Sequence, residues 1–559
     1  MRDTSTDIQS LIDDAIAQGG GVVDLPRGTY RVPTRLHFRD AQNVVLNGHG
    51  STLVFTERTD GGVYLTDSRG IELRELSLDF DPVPFTQGEV VAMDQTGAWY
   101  DIRIDAGYNA DVGVFQENRA MKVFDAATRR FKVDGRLLFP SSLASPSDGM
   151  FRAAFDNPAA DFNNLRVGDL VAITSDRPSH AMFLNEAESC VVDGVTVLGS
   201  PGTGILEVGG GGNRFRYTIT PGPKPSGASA DRLLSSCADG LWSAGARRGA
   251  QLDGCLMEFV GDTGVNIHGT YCEVTEVEGN AVRFKRVAGG IYLKAGDRLY
   301  AYCSRTYRKK ADTTIESIEG DLLQLADPAG IEPGDYIISP DRVGRRAIIR
   351  NSTFRDIECE AVLMRASDVL IENNIIERQT FTGIYLGPEV GVYVEPDFVH
   401  NITVRGNILH QIGTGRWSRA QSAVYLGAIS IGVLVPFGAP AADSKAYADL
   451  FEGLRPNSSI VIEDNTVDEC AVFGLFVGST SGVEVTGNHF SRTNAYHPLD
   501  AGRIFGIAPS SAIYVRDSDH VTFTGNTVAD LGPYADKPIV VDPTADSDTV
   551  DVSGITFEP

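Results

Sequence analysis

Eight short stretches repeat one pattern along the chain, and they constrain its fold more than any other feature. They are "VVDGVTV" (191–197), "QLDGCLM" (251–257), "IIRNSTF" (348–354), "LIENNII" (370–376), "TVRGNIL" (403–409), "VIEDNTV" (461–467), "EVTGNHF" (484–490) and "TFTGNTV" (522–528). Each alternates apolar residues, breaks at a turn-forming Gly, Asn or Asp, and alternates again, which reads as two short strands joined by a turn. Asn351 to Asn374 is 23 residues and Asn465 to Asn488 is 23 again, while Asn374 to Asn407 (33) and Asn488 to Asn526 (38) leave room for a loop inserted into a rung. A period of 20–25 residues built from strands and turns marks a parallel β-solenoid, because one coil cannot bury its apolar face alone and stacked coils make a continuous core. The asparagines at 374, 407, 465, 488 and 526 are read as structural, hydrogen-bonding from coil to coil.

The expected fold is all-β: a parallel β-helix with an N-terminal capping helix and two inserted antiparallel β modules. The capping helix follows from Thr6 and Gln9 at capping-box spacing, an apolar stripe of Ile8, Leu11, Ile12 and Ile16, and a stop at Gly19-Gly20-Gly21. Two segments break the repeat and read as hairpins, for example "EVTEVEGNAVRFKRV" at 273–287. The organisation is then 1–86, cap and first coils; 87–173, a β-barrel-like insertion; 174–271, coils carrying the candidate site; 272–342, a second β-barrel-like insertion; and 343–559, C-terminal coils. The stretch "TITPGPKPSGASA" (218–230) reads as a long loop, and 414–456 as another excursion.

Composition excludes several classes. The net charge of −25 opposes nucleic acid and anionic membranes and disfavours polyanionic substrates, so a neutral partner is expected. No apolar run approaches the roughly 20 residues of a membrane span. Seven scattered cysteines without a CxxC pair give neither a disulfide framework nor a zinc-thiolate site, and no Cys/His set has metal-ligand spacing, so metal independence is expected. The N-terminus shows no apolar leader, which fits a cytoplasmic protein, although a secreted protein with its leader removed would look the same. A homo-oligomer is left open.

The chemistry concentrates in "FVGDTGVNIHGTY" (259–271). Strand alternation puts Asp262, Gly264, Asn266 and His268 on one face and Val265 and Ile267 on the other, with Gly264 leaving room for a ligand. One 23-residue coil before Asp262 stands Asp239, in "CADGLWSAG", and Ser243 falls below Asn266. Neighbouring coils lie about 4.8 Å apart, so the two aspartates are expected to stack. Carboxyls that close split their pKa values into a proton donor and a charged partner, the equipment of a glycosidase. His268 and Asn266 are candidate substrate contacts or supports. Trp242 is a candidate sugar platform, and Arg177 in "SDRPSHAMFL" is a candidate to reach the cleft from the first insertion.

Several phrases, in order over roughly residues 20–530, resemble glycoside hydrolase family 110, the α-1,3-galactosidases. They are "LSLDFDPVPFTQGEVV", "DRPSHAMFL", "SPGTGIL", "CADGLWS" with "GDTGVNIHGTY", and "VLIENN" through "GIYLGPEVGVYVEPDFVHNITVRGN". The resemblance implies a right-handed β-helix, no cofactor, an exo-acting, inverting cleavage of a terminal α-linked neutral sugar, and catalytic roles for Asp239 and Asp262. It implies Asp262 as general acid and Asp239 as general base. Where the family shows a second consecutive aspartate this chain has Thr263, whose hydroxyl cannot replace a carboxylate base, so Glu395 and Glu207 join the candidates. A uronate lyase or epimerase would need a Lys or Arg base and cationic subsites, and a non-catalytic carbohydrate-binding β-helix would leave the aspartates without turnover.

Overall fold

A computed structural model describes residues 2–558 apart from 4, 136, 157–164, 288–289, 391–393, 416–426, 434–452 and 499–505. Most of the 414–456 excursion and part of the "VGVYVEP" phrase therefore lie outside the described residues. Outside two antiparallel units, the strands pair in parallel and stack in three columns. One column runs through Gly21–Asp24, Gln251–Asp253 and Ile348–Arg350. The second runs through Thr29–Val32, Leu256–Glu258 and Thr353–Ile357. The third, which carries the candidate site, includes Met182–Asn185, Ile205–Val208, Leu241–Ala244, Val265–His268, Val362–Met364 and Ile384–Leu386. Three flat columns around one interior are a parallel β-helix, and the inward rows form one continuous apolar core.

The helix Ser5–Ala17 covers the first coils, burying Ile8, Ile12 and Ala15 in that same core. Leu11 is exposed rather than part of the buried stripe, because the buried set follows an i, i+4, i+7 path that leaves position 11 outside it.

The asparagine ladder is structural. The Asn374 side-chain amide donates to Asn407 Oδ1 at 2.9 Å, and Asn407 to Asn465, Asn465 to Asn488, and Asn488 to Asn526 follow at 2.9 Å each. Every side-chain oxygen that accepts in this ladder also accepts a backbone N–H from the coil before it. The ladder starts one residue away from the expected place: Thr353 pairs with Ile375, so Ser352, not Asn351, stands beside Asn374, and that coil is 22 residues long.

Two antiparallel units leave the β-helix. Six strands from Thr86–Met93 to Leu170–Thr174 make one sheet with its own apolar core, and six from Cys272–Glu278 to Tyr336–Ile338 close into a barrel. Long insertions are tolerated here because only the turn between two coils has to accommodate them. Among the described residues no helix is long and apolar enough to cross a membrane.

Candidate active site

The site lies on the outward side of the third column. Val265 and Ile267 point into the core and Asn266 and His268 point out, as alternation requires. The register, however, is 24 residues. Leu241 pairs with Val265 and Trp242 with Asn266, while Ser243 lies beside Ile267 instead of Asn266. Asp239 is consequently level with Thr263, and Asp262 sits one residue before it on the next coil.

Gly264 also differs from expectation. A Cβ there would meet the Ala361 carbonyl oxygen at 2.6 Å and the side chains of Ile357 and Phe354 near 3.1–3.2 Å. The glycine fits the coil corner against the interior and does not open space for a ligand.

Asp239 and Asp262 still face one another electrostatically. Asp239 is 8% exposed. Burial, and then the neighbouring Asp262 carboxylate, push its carboxyl well above the ordinary range. Asp262 is ion-paired with Arg177, whose Nη2 lies 2.8 Å from Asp262 Oδ2. Arg177 comes from the segment leaving the first inserted sheet, so that insertion supplies one wall. A second side chain from the same sheet, Lys122, is fully buried beside Glu358 and hydrogen-bonds Thr174.

His268 is buried, and burial lowers its pKa, which keeps the ring neutral. Its Nδ1 donates to the Gly269 carbonyl at 2.6 Å, leaving Nε2 to accept the indole N–H of Trp242. The two rings stack with centroids 5.7 Å apart, so His268 orients a half-buried Trp242 on the outer face. Glu395 reaches this face from a loop. Its carboxylate lies 2.9 Å from Arg365 Nη1 and 3.5 Å from both His268 and Asn266. Against the cost of burial, the Arg365 guanidinium and the Asn266 amide hold its carboxyl below the usual glutamate range. Asn266 Oδ1 in turn accepts from Arg365 at 2.6 Å.

Thr263 is 3% exposed, and its hydroxyl donates to Glu360 Oε2 at 3.0 Å. Glu207 is not at the site. It pairs in register with Leu184 on one side and Ser243 on the other, in the row that continues to Ile267, and therefore points into the coil interior. There it is fully buried, accepting from Asn213 Nδ2 at 2.6 Å and from the Ser243 hydroxyl.

The structure thus gathers Asp239, Asp262, Arg177, Trp242, Thr263, Asn266, His268 and Glu395, leaves Glu207 out, and adds Glu358, Glu360 and Arg365. The added residues follow the second insertion, so coil subtraction from Asp262 could not reach them. Among the described residues no group of three or more His, Cys, Asp or Glu side chains is arranged to hold a metal ion.

No family model matches the chain. Curated relatives do. It is 21% identical over 477 residues to α-1,3-galactosidase B of Akkermansia muciniphila, an alignment covering 74% of this chain and 57% of that protein. It is 22% identical over 510 residues to α-1,3-galactosidase B of Phocaeicola vulgatus (83% and 81%) and 23% identical over 535 residues to α-1,3-galactosidase A of Shewanella woodyi (89% and 81%). The chain thus spans little more than half of the Akkermansia relative and most of the other two. Among solved structures, the catalytic unit of the GH87 α-1,3-glucanase from Streptomyces thermodiastaticus matches at TM-score 0.44 and 13% identity, over 100% of this chain and 65% of that one. The sequence relatives bear out the resemblance carried by the motifs: the chain is a distant relative of the α-1,3-galactosidases of glycoside hydrolase family 110.

Proposed function

We propose that the protein is an exo-acting glycoside hydrolase that removes a terminal, α-linked neutral sugar of galactose type by carboxyl acid–base catalysis on the third face of its β-helix. The observation that carries this reading is the pairing of a buried, proton-holding Asp239 with an ion-paired Asp262. A proton-holding carboxyl beside an ion-paired one is the equipment that cleavage of a glycosidic bond requires. The galactosidase relatives favour an α-galactoside. A neutral substrate fits the cations of the face, since Arg177 is engaged by Asp262, Arg365 by Glu395, and Lys122 sits beside Glu358.

The electrostatics favour an assignment opposite to the one the resemblance implies. Asp239 holds the proton and serves as general acid, donating to the departing glycosidic oxygen. Asp262 carries the charge, which keeps Asp239 protonated and stabilises positive charge developing at the anomeric carbon. Trp242, oriented by His268, offers an aromatic surface to the sugar ring.

The test is hydrolysis of a panel of aryl α- and β-glycosides. Release of phenol from aryl α-galactosides, lost in D239N, supports the proposal. A folded protein inert on every glycoside would leave it without support and favour a binding protein.

A further inference from the structure

Resting on that reading, we propose that Glu360 is the general base of the reaction, taking the proton from an attacking water opposite Asp239. The register carries this. Ile205 pairs with Leu241, Leu241 with Val265, Val265 with Val362, and Val362 with Ile384. Two residues earlier on each coil, one outward row therefore reads Thr203, Asp239, Thr263, Glu360 and Thr382. Only Asp239 and Glu360 in that row bear carboxyls, and Thr263 lies between them.

Two rungs put their backbones about 9.6 Å apart, against about 4.8 Å for adjacent coils. Inverting glycosidases hold their carboxyls roughly 6.5–9.5 Å apart to admit a water, and retaining ones about 5–5.5 Å. The Asp239–Glu360 pair starts near the inverting range, whereas Asp239 and Asp262, on adjacent coils, start near the retaining one. The Thr263 hydroxyl, at 3.0 Å from Glu360 Oε2, aims that carboxylate along the row.

The rival bases are engaged or misplaced. Glu395 is ion-paired with Arg365 and contacted by Asn266, and Glu207 faces the interior. Burial raises the Glu360 carboxyl to about 7, close to the operating pH that suits a general base.

In the step, the water oxygen bonds to the anomeric carbon as the carbon–oxygen bond to the leaving group breaks. One water proton passes to Glu360, and the Asp239 proton passes to the leaving oxygen. One water is consumed, the anomeric configuration inverts, and solvent returns the proton from Glu360 to Asp239.

Proton NMR of wild-type hydrolysis of p-nitrophenyl α-galactoside should show the β-anomer first, and the α-anomer first overturns the assignment without any variant. E360Q should melt like wild type, lose about 10²–10⁴-fold in kcat with nitrophenyl and dinitrophenyl leaving groups alike, and form the β-glycosyl azide when azide is added. T263V, which removes the hydrogen bond favouring ionised Glu360, should move the acid limb of the pH–rate profile to higher pH. An active wild type whose E360Q stays within about threefold, or whose folded, inactive E360Q yields no azide adduct, overturns this assignment alone. A wild-type protein inert on every glycoside overturns the proposed function and this assignment with it.

Discussion

Glu207 offers a sharp test because its residue type suits catalysis and its position does not. It is completely buried in an inward row between Leu184 and Ser243, and burial raises its carboxyl from 4.5 to about 7. A carboxyl whose folded pKa is raised contributes stability that is fully present below its unfolded value, near pH 4.5, and lost as pH rises through about 7. At 1.36 kcal/mol per pH unit, that loss comes to about 3 kcal/mol. Gln in its place stays neutral, and its amide oxygen can accept from Asn213 while its amide nitrogen donates to the Ser243 hydroxyl. E207Q should therefore be close to wild type in stability at pH 4.5 and gain on it by about 3 kcal/mol by pH 8. Other raised carboxyls, such as Glu358 and Glu360, titrate in both proteins and cancel in the difference. The assay is the melting temperature of both proteins from pH 4.5 to 8, with kcat on an aryl α-galactoside measured alongside. A stability difference that does not grow with pH refutes the burial argument, and a fall in kcat beyond tenfold refutes the placement of Glu207 outside the site.

Three further outcomes are expected. D239N should lose about 10²–10⁴-fold in kcat on a poor leaving group and recover part of it with dinitrophenol, whereas D262N should not recover and should shift the basic limb of the pH–rate profile downward, since Asp262 raises the Asp239 carboxyl; the reverse pattern returns the acid role to Asp262. N407A leaves the Asn374 backbone N–H without its partner and takes one of two partners from the Asn374 side-chain amide and from Asn465 Oδ1, so at about 1–3 kcal/mol per orphaned buried group it should destabilise by about 1–3 kcal/mol, read as faster limited proteolysis and a lower melting temperature. Prolonged EDTA treatment should leave activity intact, and a loss restored by calcium or zinc would falsify metal independence.

What the sequence made legible, and what it hid, follows from which part of a coil is fixed. Coil length varies because turns absorb insertions, so subtracting 23 residues from Asp262 reached Asp239 but set Asp239 level with the wrong neighbour. What does not vary freely is the small residue at the corner, where a Cβ would run into the next coil. Gly240 would meet the Gly264 carbonyl oxygen and Gly264 the Ala361 carbonyl oxygen, each at 2.6 Å. Aligning on those residues stacks Asp239-Gly240-Leu241-Trp242, Thr263-Gly264-Val265-Asn266 and Glu360-Ala361-Val362-Leu363, which gives the 24-residue register and carries the row across the second insertion to Glu360. A slip of one residue in a strand exchanges its two faces, and this is why Ser243, expected below Asn266, lies with Glu207 in the interior. The division of labour between Asp239 and Asp262 was less accessible still. It depends on an arginine 85 residues before Asp262, delivered by the first insertion, and on how deeply each carboxyl is buried. Periodicity locates groups along a face, but the proton belongs to the carboxyl that the rest of the fold buries without an ion pair. Here Arg177 pairs with Asp262, and Asp239 is left to hold the proton.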